Sequence, residues 1–486
     1  MTATSLFLLI LTPLFGGVLL LLANRRPNLR ESITLITATL LIAQLALILQ
    51  SWWAQELLPE WRYDWLPGLS FYFRFDALGL IFAGLASLLW LVNSIYSIGY
   101  MRGNEEANQT RFYFFFTVAI AATMGVAMAG NLLTLFFFYE LLTLSTYPLV
   151  THKGDERTVK SARVYLGILL TSSIALFLPA IIWTSVLAGT SDFRVGGIFP
   201  ETVSATVLSV LLLLYLFGIG KAAVMPVHRW LPAAMVAPTP VSALLHAVAV
   251  VKAGVFTIIK VVVLIFGIDV LAALPVSELA IWLASFTTVA ASVVALRQQN
   301  LKRLLAYSTI GQLAYVVLAA LLTTRTAEAG AALHLVVHGF GKITLFFAAG
   351  AIYVASGKTE LHQLNGIGRL MPVTMVAFAI GALSMIGVPP TAGFISKWFM
   401  ISGALEAGSV VALTALLLST ALNAGYFLPV VYRAFWLPAA ENDRHGEAPW
   451  PAVLALSITA LLTLALFWFH SPLLTLAWQF LEGASS

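Results

Sequence analysis

Residues 203–240 read VSATVLSVLLLLYLFGIGKAAVMPVHRWLPAAMVAPTP, and this stretch decides the fold. An apolar run long enough to start across a bilayer reaches Lys221 and then meets Pro226, Pro232, Pro238 and Pro240. Proline removes an amide donor and clashes with the preceding turn. A helix broken at membrane depth is tolerated only where protein or a hydrated cavity satisfies the freed groups. The pattern returns near 371–404, where an apolar run is interrupted at Pro389-Pro390, with Gly387 and Gly393 close by and Lys397 beyond. Two broken spans, each with a lysine at its break, frame the rest of the reading.

Outward from these breaks, apolar runs of about 20 residues, the length that crosses a bilayer, recur along all 486 residues. Fourteen spans are predicted, near 5–23, 32–50, 77–98, 112–129, 131–150, 162–187, 203–224, 241–266, 277–296, 303–321, 330–353, 371–404, 409–432 and 451–475. The expected fold class is an all-α polytopic membrane protein. With 60% hydrophobic and 10% charged residues and a mean hydropathy of +0.94, the chain has too little polar surface for a soluble enzyme, a disordered protein or a nucleic-acid binder. The first span sits where a signal peptide would. It lacks a basic residue ahead of it and is followed by Arg25-Arg26, so it reads as a retained helix. The longest hydrophilic stretches lie near 51–75, 188–202 and 433–450, and Trp52, Trp53, Trp61, Trp65 and Trp450 fit interfacial belts.

The breaks fall five spans apart, as they would if spans four to eight and nine to thirteen were two copies of one unit. Paired breaks at corresponding positions point to a transport site where the copies meet. With the N-terminus outward, seventeen Lys and Arg residues, Arg444 among them, fall in inward loops and flanks. Four (Arg62, Arg74, Arg194 and Arg325) fall outward. The bias places both termini on the outer side.

What remains at membrane depth is Lys221, Lys252, Lys260, Lys342 and Lys397, the acid Glu140, and His246, His334 and His338. A charge at the bilayer centre costs at least about 2.5 kcal/mol, so these side chains are expected to face inward. Glu140 and Lys221 read as an ion pair, permanent or opening to release a proton. Lys252, without a carboxylate of its own, suits a proton carrier, since a buried amine lacking such a partner gives up its proton readily. Lys260 lies nearer a span end, where it could snorkel. His334, His338 and Lys342 at i, i+4 and i+8 share one helix face and suit a proton relay or a polar seam between helices. The His pair lacks a third ligand for a metal or haem. The chain has no cysteine, which excludes disulfides and cysteine-ligated iron–sulfur centres, and nothing else implies a cofactor.

The stretch from Lys221 through Pro232 and on to His246 resembles the core signature of the proton-pumping antiporter-like family. So do residues 304–312 (LLAYSTIGQ), His334 to Lys342, and residues 387–394 (GVPPTAGF). That family contains large membrane subunits of respiratory complex I, of Mrp-type cation/proton antiporters and of energy-converting hydrogenases. The resemblance covers roughly residues 70–430. It implies 14 helices with two inverted five-helix repeats and broken helices seven and twelve. The corresponding units are an N-terminal three-helix segment (1–111), a first repeat (112–266), a second repeat (277–432) and a C-terminal loop and helix (433–486).

The resemblance further implies Glu140 and Lys221 as a gating pair, Lys252 as central carrier, His334, His338 and Lys342 as connecting relay, and Lys397 as terminal site. His228 and His246, with Lys260, are secondary candidates. The wording, including Tyr96-Ser-Ile-Gly-Tyr and the segment 342–357, looks most like the D-type subunits of Mrp antiporters. No lateral helix or added antiporter domain is expected after span 14.

The function expected is a proton-translocating subunit of a multisubunit Na+ or K+/H+ antiporter in the inner (plasma) membrane, with other membrane subunits as partners. The alternatives are a proton-pumping subunit of a complex I-like oxidoreductase or hydrogenase, and one of a proton-coupled inorganic-carbon uptake complex. Sodium prefers hard oxygen ligands, which the spans supply thinly, so the cation route is expected partly or wholly in another subunit.

Overall fold

The computed structural model describes residues 3–66, 69–439 and 445–483; Arg444 lies outside them. Twelve helices among the described residues are long and apolar enough to cross a membrane. Two further crossings are interrupted: one begins with helix Ala205–Gly218, the other is made of Pro372–Ile386 and Ala392–Glu406. The chain is a polytopic all-α membrane protein, as its hydropathy predicts.

Burial sorts the crossings into layers. The segments Thr239–Phe266 and Arg325–Ser356 are buried along their apolar lengths, and Leu301–Leu321 nearly so. These are the three interior helices, and they carry Lys252, the His334–Lys342 face and the 304–312 motif. Helices such as Thr4–Leu22, Glu156–Ala188 and Trp450–Trp468 turn most of their apolar surface outward, with Phe15, Val186 and Leu461 among their exposed side chains. An exposed apolar face of this kind is what a lipid-facing helix needs, whereas polar groups at depth need protein partners.

Both breaks are closed by side chains. At the first, the Lys221 N–H donates to the Tyr139 hydroxyl (3.1 Å). The Trp230 indole donates to the Gly220 carbonyl (2.9 Å), and the Met225 N–H to Thr287 Oγ1 (3.2 Å). At the second, the Met385 and Ile386 carbonyls accept from Lys397 Nζ at 2.7 and 3.1 Å. Freed backbone groups buried in this way are satisfied by protein rather than lost.

Three features depart from expectation. The stretch near 51–75 contains an antiparallel hairpin, Trp61–Leu66 with Leu69–Phe73, packed by Phe7 against Trp61 and Phe73. Trp52 is buried, and its indole donates to Gln479 Oε1 (2.9 Å), so it is a packing residue and not part of a belt. After span 14 a short helix, Ser471–Glu482, folds back against the bundle and buries Leu476, Ala477 and Phe480. The hairpin and this helix lie on the same side of the bundle, here termed the hairpin face.

Candidate functional site: a polar row through the bundle core

Helix Leu132–Val150 carries Glu140, and the 3-10 turn Gly220–Ala222 carries Lys221. The sequence reading pairs these two. In the structure they form no ion pair among the described residues. The Lys221 ammonium donates to the Tyr139 carbonyl (2.7 Å) and to Thr143 Oγ1 (2.6 Å), and lies 3.1 Å from the centroid of the Tyr139 ring. Neither Glu140 carboxylate oxygen has a hydrogen-bond partner among the described residues. The reason is helical geometry. Tyr139 and Thr143 stand one above the other at i and i+4, whereas Glu140 is turned about 100° from Tyr139.

Gly254, two residues after Lys252, lets helix Val250–Lys260 lie directly on the first break. A Cβ there would meet Ala222 N and Lys221 C at 2.3 Å. Lys252 Nζ then reaches across to the other half of the chain, 2.6 Å from His338 Nδ1. The His338 and His334 rings stack at 5.8 Å. His334 Nε2 is 3.0 Å from Gln312 Oε1, and Gln312 Nε2 donates to the Met385 carbonyl (3.2 Å). Because that amide spends its N–H on Met385, its oxygen is left to accept, so His334 Nε2 carries the proton. His334 Nδ1 lies 2.9 Å from Ser396 Oγ, whose hydroxyl is also within bonding distance of the Gly393 carbonyl at 3.3 Å.

A second branch runs from Lys342. Its ammonium donates to Ser308 Oγ (2.8 Å), the Tyr426 hydroxyl lies 3.0 Å from the same oxygen and also bonds Asn423, and Asn423 donates to Met385 O (3.3 Å). Both branches end on one carbonyl, exposed by the second break, which also accepts from Lys397. Lys252, His334, His338, Lys342 and Lys397 are therefore brought together in one connected row. All five are buried.

The secondary candidates stand outside it. His228 lies on the turn Val227–Arg229 beside Tyr307. His246 is buried over Phe346, and neither ring nitrogen has a hydrogen-bond partner among the described residues. Lys260 does not snorkel: it is buried and ion-paired to Asp76 at 2.8 Å.

Sequence reasoning missed the neutral links Tyr139, Thr143, Ser308, Gln312, Asn423 and Tyr426. Ser308 and Gln312 fall inside the motif 304–312, which is the one signal that could have found them. It also missed Glu328, buried at the start of helix Arg325–Ser356 with neither oxygen hydrogen-bonded among the described residues. That residue lies just ahead of the predicted span, 330–353, in the first turn of the helix. Glu31, also buried, is a structural acid bound by Arg102 (Nε to Oε1, 2.8 Å).

An apolar bundle whose core holds a row of buried amines and imidazoles, joined by hydrogen bonds and one ring stack, defines a multi-pass membrane subunit of the transporter type. The chain matches the family model described as NADH:quinone oxidoreductase/Mrp antiporter, transmembrane, over residues 129–423, and it belongs to that family. It is 32% identical over 469 residues to NADH-quinone oxidoreductase subunit N of Desulforudis audaxviator, across 93% of this chain and 90% of that one. It is 33% identical over 405 residues to the A/B component of a probable K(+)/H(+) antiporter of Rhizobium meliloti, across 80% of this chain but 39% of that longer protein. In fold it is similar to a chain of the Mrp complex from Dietzia sp. DQ12-45-1b, with a TM-score of 0.87 at 22% identity, covering 99% of this chain and 98% of that one. These relatives and neighbours are subunits of multisubunit membrane complexes, and some belong to redox-driven assemblies.

Proposed function

We propose that this chain is the proton-translocating subunit of a multisubunit monovalent-cation/proton antiporter, of the Mrp D type. The single observation that carries the reading is the continuous set of contacts from Lys252 through His338, His334, Gln312 and the Met385 carbonyl to Lys397. Lys221 holds a proton on Tyr139 and Thr143. A shift of Lys221 toward or away from Glu140 changes how tightly that proton is held, because a carboxylate close by favours the ammonium. The proton then passes to Lys252, across to His338, and by ring rotation or a bridging water to His334. Lys397 is the terminal site, and Lys342 tunes the row through Ser308 and Tyr426. The two halves correspond to repeats over 112–266 and 277–432.

Neutral substitution of Lys221, Lys252 or Glu140 in the assembled complex tests the reading by cation-dependent proton flux in everted vesicles. Loss of flux is expected in each, and wild-type flux in all three would sink it. The charge bias of the loops supports both termini facing outward; a protease-cleavable tag after Ser486 is then cut in intact spheroplasts and protected in everted vesicles.

A second reading, a proton-pumping subunit of a quinone oxidoreductase, is favoured by the 32% identity to a subunit N along nearly the whole chain. The two readings share every residue named above and differ in partners. Affinity purification through this chain brings down small antiporter subunits in the first case and iron–sulfur subunits in the second. On the antiporter reading the cation crosses partly or wholly in another subunit, so the isolated chain in liposomes exchanges no Na+ for H+.

A further inference from the structure

One carboxylate–amine pair lies outside the row and has no part in the pathway above. Helix Val250–Lys260 carries Lys252 near its start and Lys260 at its end, about 12 Å apart by helical rise. Phe256 stands one turn from each. Lys260 Nζ is 2.8 Å from Asp76 Oδ2, donates to the Ala129 carbonyl at 2.9 Å, and lies 5.1 Å from the centroid of the Phe256 ring. Asp76 precedes helix Ala77–Gly103, and its second oxygen accepts the Gly79 N–H at 2.7 Å. The two side chains differ in access: Lys260 is 1% exposed and Asp76 22%. The carboxylate lines a cleft of about 670 Å³ on the hairpin face, together with Glu60, Arg74 and Gln479.

Each member of the pair also has a bond that survives transfer of a proton between them. A neutral Lys260 still donates to Ala129, and a protonated Asp76 still accepts from Gly79. A tie that served only to hold two helices together would not need one end in the core, two turns along the helix from Lys252, and the other open to water.

We propose that Asp76 and Lys260 form a proton port on the hairpin face that serves Lys252 through a passage closed by the Phe256 ring. The Lys260 ammonium gives its proton to the Asp76 carboxylate, and the resulting carboxylic acid gives it to water in the cleft, which restores the carboxylate. When the Phe256 ring turns aside, water entering the passage takes a proton from the Lys252 ammonium and hands one to the neutral Lys260 amine. The sum is one proton moved from Lys252 to the hairpin face, and the reverse order moves one inward. The port lies in the half of the chain containing Lys221, away from Lys397, and rests on the reading of Lys252 as a proton carrier.

The test is cation-dependent proton flux in everted vesicles carrying the whole complex, with the assembly of the complex measured on the same membranes. Asp76→Asn is expected to lower flux at least tenfold, and Asp76→Glu to restore most of it. The double variant Asp76→Asn with Lys260→Met separates the port from a structural tie. Replacing both members of a buried ion pair is often neutral for stability, so a mere tie predicts recovered flux in the double variant, and the port predicts continued loss in an assembled complex. Recovery in the double variant, or wild-type flux in Asp76→Asn, overturns the port. Lys252→Ala in parallel isolates the underlying reading: wild-type flux there removes the carrier itself, whereas lost flux there beside wild-type flux in Asp76→Asn removes the port alone.

Discussion

Lys221 is held by two short bonds from its ammonium, one to a carbonyl and one to a hydroxyl. Thr143→Val keeps the side-chain shape and removes the hydroxyl. A hydrogen bond to a charged group contributes about 1.5–3 kcal/mol, so proton flux through the assembled complex is expected to fall roughly tenfold or more; unchanged flux would leave the hydroxyl without a role. A second residue-scale prediction concerns His152, in the loop after helix Leu132–Val150. It is buried, 4.0 Å from Glu106, and its carbonyl accepts from Arg111. Burial pushes its imidazole below the ordinary 6.5, against the pull of Glu106. The unfolded chain therefore binds the proton more readily, and stability is full above pH 6.5 and declines as pH falls through 6.5 toward the folded-state value. Melting in detergent should shift downward between pH 7.5 and 5.5, and His152→Phe should flatten that slope; an unaltered slope contradicts it. The lysines and histidines of the row were legible in the sequence because a charge in an apolar run stands out. Ser308, Gln312, Asn423 and Tyr426 were not, because neutral polar residues are common in spans and only packing shows which of them touch.

At the level of elements, the two broken crossings were legible from proline alone, since no other reading places Pro226 or Pro389-Pro390 inside an apolar run. What closes them was not, because Tyr139, Trp230 and Thr287 reach the first break from elsewhere in the chain or across the turn. Gly254 is the element-scale test. A Cβ at this position meets backbone atoms at 2.3 Å, which no rotamer change relieves. Overpacking costs about 1–3 kcal/mol and sometimes more, so Gly254→Ala is expected to lower the melting temperature and to push Lys252 away from its approach to the first break. A variant with wild-type melting and flux would show that this close approach is dispensable. The hairpin had a signal that went unused: aromatic runs on either side of Pro67-Gly68, a turn dipeptide, though those two residues lie outside the described ones. The helix Ser471–Glu482 was hidden because its apolar stretch runs on from span 14, predicted to reach 475, and only the short break at Phe469-His470 separates it from helix Trp450–Trp468.

For the whole molecule, the order of burial explains the placement of function. The three interior crossings carry most of the polar row and the second broken crossing carries Lys397, and the outer crossings shield the row from lipid, where an unpaired charge would be costly. The class of fold and the number of crossings followed from hydropathy, and the repeated breaks suggested two related halves. The joint between those halves did not follow, since Lys252 and His338 are 86 residues apart and no local pattern pairs them. The central claim is that protons cross laterally from one half to the other at this joint. It is tested most directly by cation-dependent proton flux in everted vesicles containing the assembled complex with His338→Ala. Flux at the level of vesicles lacking the complex, with every component present, is the result this account predicts; wild-type flux would contradict it.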